Sequence, residues 1–262
     1  FLTTQIDKII GAIFGTTVDA MGQVSVKLTA KDATFLLQFA IVFILFLMIL
    51  VYGSSIANSI VEEKSARIIE TLLCYVKPLE LLAGKVIGYL LGIIVQIGIW
   101  VGYYLVLDMC MELPANPVFE ALGELKVQVY VLLAASVILG FMMYAFAFAA
   151  LSSFADNAQD STQLMFPVTM VMLCTYFVSL SIMNGFGGGW IEVLAMAPFF
   201  SSIVSFVTGD LIGLTWGEVA KSAGIQLVEV IVVAVICGKL YRRGVVSYGL
   251  RKMSLKKLFK KQ

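Results

Sequence analysis

Apolar residues dominate five long stretches of the chain, at 33–57, 86–107, 127–151, 163–182 and 219–240. Each is long enough to cross about 30 Å of hydrocarbon as a helix. The pattern predicts an all-α polytopic membrane protein with five transmembrane helices. The longest polar interruption between two of these runs is 58–85, which holds four acids and four bases. Within it, Ile56, Ile60, Ile68, Leu72 and Val76 recur at helical spacing among Glu62, Glu63, Lys64, Arg67 and Glu70. That predicts an amphipathic surface helix supported by a Glu63–Arg67 pair at i, i+4 and an Arg67–Glu70 pair at i, i+3. Pro78 is placed to open a further helix at 78–82, because its fixed φ suits a first turn.

The other connections read differently. The 108–126 segment is an acidic loop with Pro114 and Pro117, and 152–162 is a short turn in which Asp160 or Ser161 is placed to cap the fourth span. Pro167 predicts a kink early in that span. The glycine-rich run 184–189 reads as a hinge. The 190–216 stretch is too apolar for a free loop, yet Pro198 and the Gly209-Asp210 turn cut it into pieces too short to cross. Two short helices forming a re-entrant hairpin fit it best, covered by protein at that depth.

Charge orients the whole. Sixty per cent of residues are apolar and 13 per cent charged, against roughly a quarter charged in soluble domains. The net charge is only +1, but nine of the 18 Lys and Arg residues lie at or beyond Lys239. By the positive-inside rule the basic tail 241–262 is cytoplasmic. Threading back places 58–85 and 152–162 on that side as well, giving 13 basic residues inside and five outside. Residues 1–32 then lie outside, as an external remnant or an interfacial segment beginning with the amphipathic run Ile6, Ile9, Ile10, Ile13 and Phe14. They hold neither an initiator Met nor a signal-like apolar stretch, so a preceding transmembrane helix, and with it an external domain, is expected upstream.

Candidate chemistry is sparse. With no His, four separated Cys and no GxxxxGK[ST] run, the chain lacks a His-based triad, a zinc set and a phosphate-binding loop of its own. No metal site, catalytic site or nucleic-acid partner is expected. Glu229 lies near the middle of the last span, where a charged carboxylate costs at least a few kcal/mol. It reads either as a cation or proton site or as a carboxyl hydrogen-bonded between helices. Gln96 is a second intramembrane polar group, expected to bond across helices. Gly84, Gly88, Gly92, Gly98 and Gly102 place small residues along the second span, suited to close packing within the chain or at a subunit seam. The basic tail is suited to anionic lipid.

The residues Glu62-Glu63-Lys64-Ser65-Ala66-Arg67, Glu70, Leu72-Leu73, Pro78-Leu79 and Gly84-Lys85 closely resemble the signature cytoplasmic loop of ABC-2 type permeases, notably the sodium-export (Nat) branch. The 241–249 segment and Ala197-Pro198-Phe199-Phe200-Ser201 resemble the same family's closing and re-entrant regions, so the likeness runs through nearly all of 33–258. It implies a permease subunit with five of the family's six transmembrane helices and a cytoplasmic coupling helix. It further implies a second permease subunit, homo- or heterodimeric, and a cytoplasmic ABC ATPase that carries the ATP and Mg. On this reading Glu62, Glu63, Lys64, Arg67 and Glu70 form the polar rim gripped by the ATPase, and Ile68, Leu72 and Leu73 its apolar anchor. The chain is then a non-enzymatic subunit of an exporter in a bacterial or archaeal plasma membrane, with Na⁺, antibiotics, peptides or lipids as possible cargo classes. Two other readings stay open: a secondary transporter coupled to a cation or proton through Glu229, and a non-transporting ABC-2-like membrane subunit.

Overall fold

The computed structural model describes residues 16–18, 24–26, 30–111, 125–186, 188–208 and 214–246. The expected amphipathic helix at Ile6–Phe14, the central part of the acidic loop, the Gly209-Asp210 turn and the basic tail beyond Val246 lie outside them. Among the described residues eight helices follow a short ribbon: α1 Ala30–Ser65, α2 Ile68–Leu73, α3 Pro78–Met111, α4 Val127–Ser152, α5 Ala158–Met183, α6 Trp190–Leu194, α7 Ser201–Thr208 and α8 Trp216–Val246. The ribbon, β1 Thr16–Val18 with β2 Val24–Val26, pairs antiparallel with Thr16 opposite Val26. Apart from this ribbon the regular structure among the described residues is helical, in line with the all-α expectation. The five long helices α1, α3, α4, α5 and α8 are long and apolar enough to span a membrane, which makes this a multi-pass membrane protein.

Each span is longer than its apolar run, because polar flanks continue the helix. The fourth starts at Ala158 and is capped by Asn157, whose side chain accepts from Asp160 N at 2.8 Å. Asp160 and Ser161, expected as caps, therefore lie inside the first turn. The helix also runs through Pro167 without a break. One missing donor in the early turns leaves the remaining ladder intact. Likewise α8 opens on a capping box: Thr215 N donates to Glu218 Oε2 at 2.9 Å, and Glu218 N donates to Thr215 Oγ1 at 3.4 Å.

Helix α4 is the hub, packing against α8, α1, α5, α7 and α3. Its second half, Met143 to Ala150, is buried on every side, so the sequence there is apolar all round rather than amphipathic. Two clusters share it. One joins Ile56, Ile60, Ile69, Leu82 and Val86 to Phe141–Ala150, Val233 and Tyr241. The other gathers Val42, Val129 and Leu132 with Ile203, Phe206 and Val207 of α7.

The 190–216 stretch does form two short helices, and the second is buried: Ser201 to Val204, Phe206 and Val207 are all covered. Gly140 permits this approach, since a Cβ there would lie 2.8 Å from Ser202 Cβ. The turn before α7 is held by α4. Tyr144 Oη donates to Phe199 O at 2.7 Å, and Phe199 N donates to Met143 Sδ at 3.3 Å. Phe199 has φ 73°, a left-handed conformation that costs a non-glycine residue about 1–2 kcal/mol. Tyr144→Phe should therefore release a strained turn, lowering stability by about 1 kcal/mol. Thermal unfolding of the purified chain in one fixed detergent checks this, and an unchanged midpoint would mean that Tyr144 does not hold the turn.

The glycine stripe of α3 does not serve packing within the described chain. Gly84, Gly88, Gly98 and Gly102 have nothing within 4 Å of a built Cβ, and only Gly92 approaches a side chain, Tyr52, at 3.8 Å. The outer part of α3 stands clear of its neighbours, exposing Val95, Ile99, Trp100, Tyr103 and Val106.

Candidate functional site

The 58–85 segment forms a charged head at one end of the bundle, built differently from the single amphipathic helix expected. Helix α1 continues through Asn58–Ser65 without interruption. It then ends in a tight turn, with Arg67 N donating to Lys64 O at 3.0 Å. Arg67 itself has φ 57°, so it cannot continue α1 and instead opens the short α2. The predicted Glu63–Arg67 pair on one continuous helix is thereby lost. Helix α3 begins at Pro78 as predicted, but as the first turn of a single span rather than a separate short helix. Lys77 N donates to Glu80 Oε2 at 3.2 Å to cap it.

Tertiary partners explain the rearrangement. Glu63 Oε1 receives Lys85 Nζ at 2.5 Å, and Lys85 also donates to Ser59 Oγ at 2.7 Å. Lys64 is buried: its ammonium donates to Ser153 O at 2.9 Å and lies 3.5 Å from Asp156 Oδ1. Ser65 Oγ reaches Asp156 O at 3.3 Å. An exposed i, i+4 pair is worth a few tenths of a kcal/mol, and a charge-assisted bond in a shielded site is worth more. Glu63 and Lys64 therefore turn inward rather than joining a polar rim. Through Lys64 the head is tied to the α4–α5 turn, and that turn also receives α8. A Cβ on Gly244 would lie 2.0 Å from Ser153 Oγ and 2.9 Å from the Ser153 carbonyl carbon.

The other predicted head residues divide. Glu62 and Arg67 are exposed, and Ile68 is half exposed at 50%. Leu72 and Leu73 are partly buried, with Leu73 against the core. The side chain of Glu70 lies outside the described set. The residue that anchors α2 is Ile69, fully buried. Helical periodicity alone pointed to Ile68, because the break at Arg67 resets the phase. The outward surface of the head is completed by Tyr75, 84% exposed, with Val76 and Leu79.

Far from the head, Glu229 is half-buried on α8 and accepts a hydrogen bond from Ser201 Oγ of α7. This favours the hydrogen-bonded reading for one of its two oxygens. Gln96 is half-buried on α3 and makes no interhelical bond among the described residues. The expectation fails because this part of α3 stands away from the other helices. No hydrogen bond joins Gln96 to Glu229. Among the described residues no three His, Cys, Asp or Glu side chains group as metal ligands.

Residues 8–238 match the model of a family described as ABC-2 family transporter protein. The chain is 26% identical over 238 residues to the uncharacterized protein YhaP of Bacillus subtilis, covering 87% of this chain and 57% of that one. It is 28% identical over 227 residues to the uncharacterized protein MJ1024 of Methanocaldococcus jannaschii, covering 86% of this chain and 53% of the relative. The chain thus spans little more than half the length of these curated relatives. No solved structure matches it. With five membrane-length helices and a family match along most of its length, the chain belongs to the ABC-2 family of transporter membrane proteins.

Proposed function

We propose that the chain is the permease subunit of an ATP-driven exporter, and that a cytoplasmic ABC ATPase grips the head formed by Glu62–Glu80. The observation that carries this reading is the two-sided build of α2. Its inner face is anchored by the fully buried Ile69, while Ile68, Tyr75 and Leu79 are left at the surface beside Glu62 and Arg67. An apolar centre with a charged rim is the anatomy of a protein–protein contact. Glu63 and Lys64, by contrast, hold the head rigid from within.

The coupling route follows from helix continuity. Helix α1 is unbroken from the membrane into the head, and α3 leaves the head at Pro78. When two ATPase subunits bind ATP with Mg and close, the displaced head tilts both helices and, through Lys64, the α4–α5 turn. The pathway then opens outward between two permease subunits. The open glycine stripe and bare apolar face of α3 support a contact with that second subunit. In this reading the head and the C-terminus face the cytoplasm, and the basic tail lies on anionic lipid. The resemblance to Nat-type permeases makes Na⁺ the first cargo to assay.

Ile68→Asp tests the grip. A central apolar contact is worth about 2 kcal/mol or more, which corresponds to roughly 30-fold in affinity. Because Ile68 is half exposed, the permease itself should unfold at nearly the same temperature. Affinity for the purified cognate ATPase, measured with the permease in nanodiscs, should fall by about that factor. Unchanged affinity would remove α2 from the interface. Outward flux of ²²Na⁺ from ATP-loaded vesicles, absent without the ATPase, then decides cargo and direction.

A further inference from the structure

Three helices meet around Glu229, and two of them bring buried oxygens that have no hydrogen-bond partner, two from α8 and one from α7. Ser201 Oγ donates to Glu229 Oε2, leaving Oε1 buried and without a partner. Ser202, 2% exposed, follows on α7 and faces Gly140 of α4, and its hydroxyl is likewise unpartnered. Gln226 lies one turn before Glu229 on α8 and is also 2% exposed. Its amide nitrogen donates to Ser136 Oγ at 3.4 Å and Ser222 Oγ at 3.3 Å, while its Oε1 has no partner. Ser136 and Gly140 are one turn apart on α4, so Glu229, Gln226 and Ser202 close on one junction of α4, α7 and α8. Buried polar atoms are ordinarily paired, and three together call for a common partner.

Charge narrows what that partner is. Helices α4 and α7 hold no Asp, Glu, Lys or Arg, and α3 holds none between Lys85, which is engaged with Glu63, and Asp108. On α8 the nearest charged groups are Lys221, about 12 Å along the axis, Lys239, about 15 Å along it, and Glu218 beyond Lys221. Tyr144, the ionisable side chain of α4 nearest the junction, spends its hydroxyl on Phe199 O and Thr175. Among the described residues the carboxylate therefore has no ion-pair partner on the helices that pack against it. No hydrogen bond joins any two of these three oxygens, so a single proton on Glu229 would pair it with at most one of the other two. A divalent ion would leave a net positive charge in the membrane. Oxygen-only ligands with one formal negative charge suit a hard monovalent ion instead.

We propose that Glu229, Gln226 and Ser202 bind one alkali-metal cation, which locks the buried helix α7 onto α8. Ser201 acts as the positioning residue that orients the carboxylate. The site is independent of ATPase docking at the head, so either proposal can fail without the other.

The test uses the full chain in nanodiscs, titrated calorimetrically with NaCl, KCl or LiCl at constant ionic strength against N-methyl-D-glucamine chloride. Saturable binding of one ion per chain is expected, with a melting temperature that rises with the ion. Glu229→Gln should abolish both responses. Ser202→Ala, which keeps the carboxylate and is a mild change, should weaken binding about tenfold or more. If the wild-type chain behaves identically in sodium and N-methyl-D-glucamine, or if Glu229→Gln retains the binding isotherm, the proposal is overturned. A response to pH alone, the same in every salt, also overturns it in favour of a protonated carboxyl bridged by water.

Discussion

Lys64→Glu should lower the stability of the chain by about 3–5 kcal/mol, because it places a second carboxylate in a shielded site beside Asp156 and a backbone carbonyl. The size of the effect comes from asymmetry. Lys64 is almost completely buried, whereas Asp156 is 54% exposed at its side chain. The carboxylate can turn to water, but the buried position cannot. A ranked series follows. Lys64→Met keeps the aliphatic stem but loses the bond to Ser153 O, which costs about 1.5–3 kcal/mol. Asp156→Asn removes only a long, exposed ion pair and should cost less than about 1 kcal/mol. The swap Lys64→Glu with Asp156→Lys should recover only part of the loss, since a carboxylate cannot donate to Ser153 O. Melting temperatures of the four variants in one detergent check the order. If Asp156→Asn proved as damaging as Lys64→Glu, the ion pair rather than the carbonyl bond would be the main tie.

Gly244→Val is the second large effect. Even the first side-chain carbon would collide with Ser153, at 2.0 Å from Oγ and 2.9 Å from its carbonyl carbon. A hydroxyl can rotate away, but the backbone of the α4–α5 turn cannot move without disturbing the Lys64 bond on its other side. Overpacking of this kind costs about 1–3 kcal/mol and more where backbone must shift. The upper end is expected here, with loss of the folded monomer peak on gel filtration as its visible consequence. Gly98→Ala provides the contrast. It meets nothing within 4 Å and replaces the poorer helix former, so the isolated chain should be unchanged or about 1 kcal/mol more stable. A stable Gly244→Val variant would mean that α8 does not rest on the turn.

These two positions share one feature: both act on the 153–156 turn from different helices. Lys64 holds it from α1 and Gly244 admits α8 from the other side. In the proposed transport cycle this makes the turn a relay, because movement of the head reaches the α4–α5 turn through a few short polar contacts and α8 through the close approach of Gly244 to Ser153. Apolar packing alone would transmit it less specifically, since methyl and aromatic surfaces slide past one another more readily than a buried lysine leaves its carbonyl.

Much of the architecture was legible in residue order. Five spans, the start of α3 at Pro78 and two short helices in 190–216 all follow from composition, proline chemistry and segment length. These are local or bulk properties, and the bilayer enforces them strongly, since an unpaired backbone group in hydrocarbon costs several kcal/mol. What residue order could not supply was partner choice. Glu63 is four residues from Arg67 but pairs with Lys85, and Lys64 looks like a surface charge until the turn after α4 folds over it. Ile68 and Ile69 are neighbours of equal hydropathy, and only the left-handed Arg67 decides which is buried. The lone oxygens of Ser202, Gln226 and Glu229 come from residues up to 27 positions apart, and Gly140 is what lets α7 approach α4 beside them. The chain by itself determined which segments enter the membrane. Which polar groups find one another was decided by long-range packing, whose contact energies exceed the few tenths of a kcal/mol that neighbouring residues exchange along a helix.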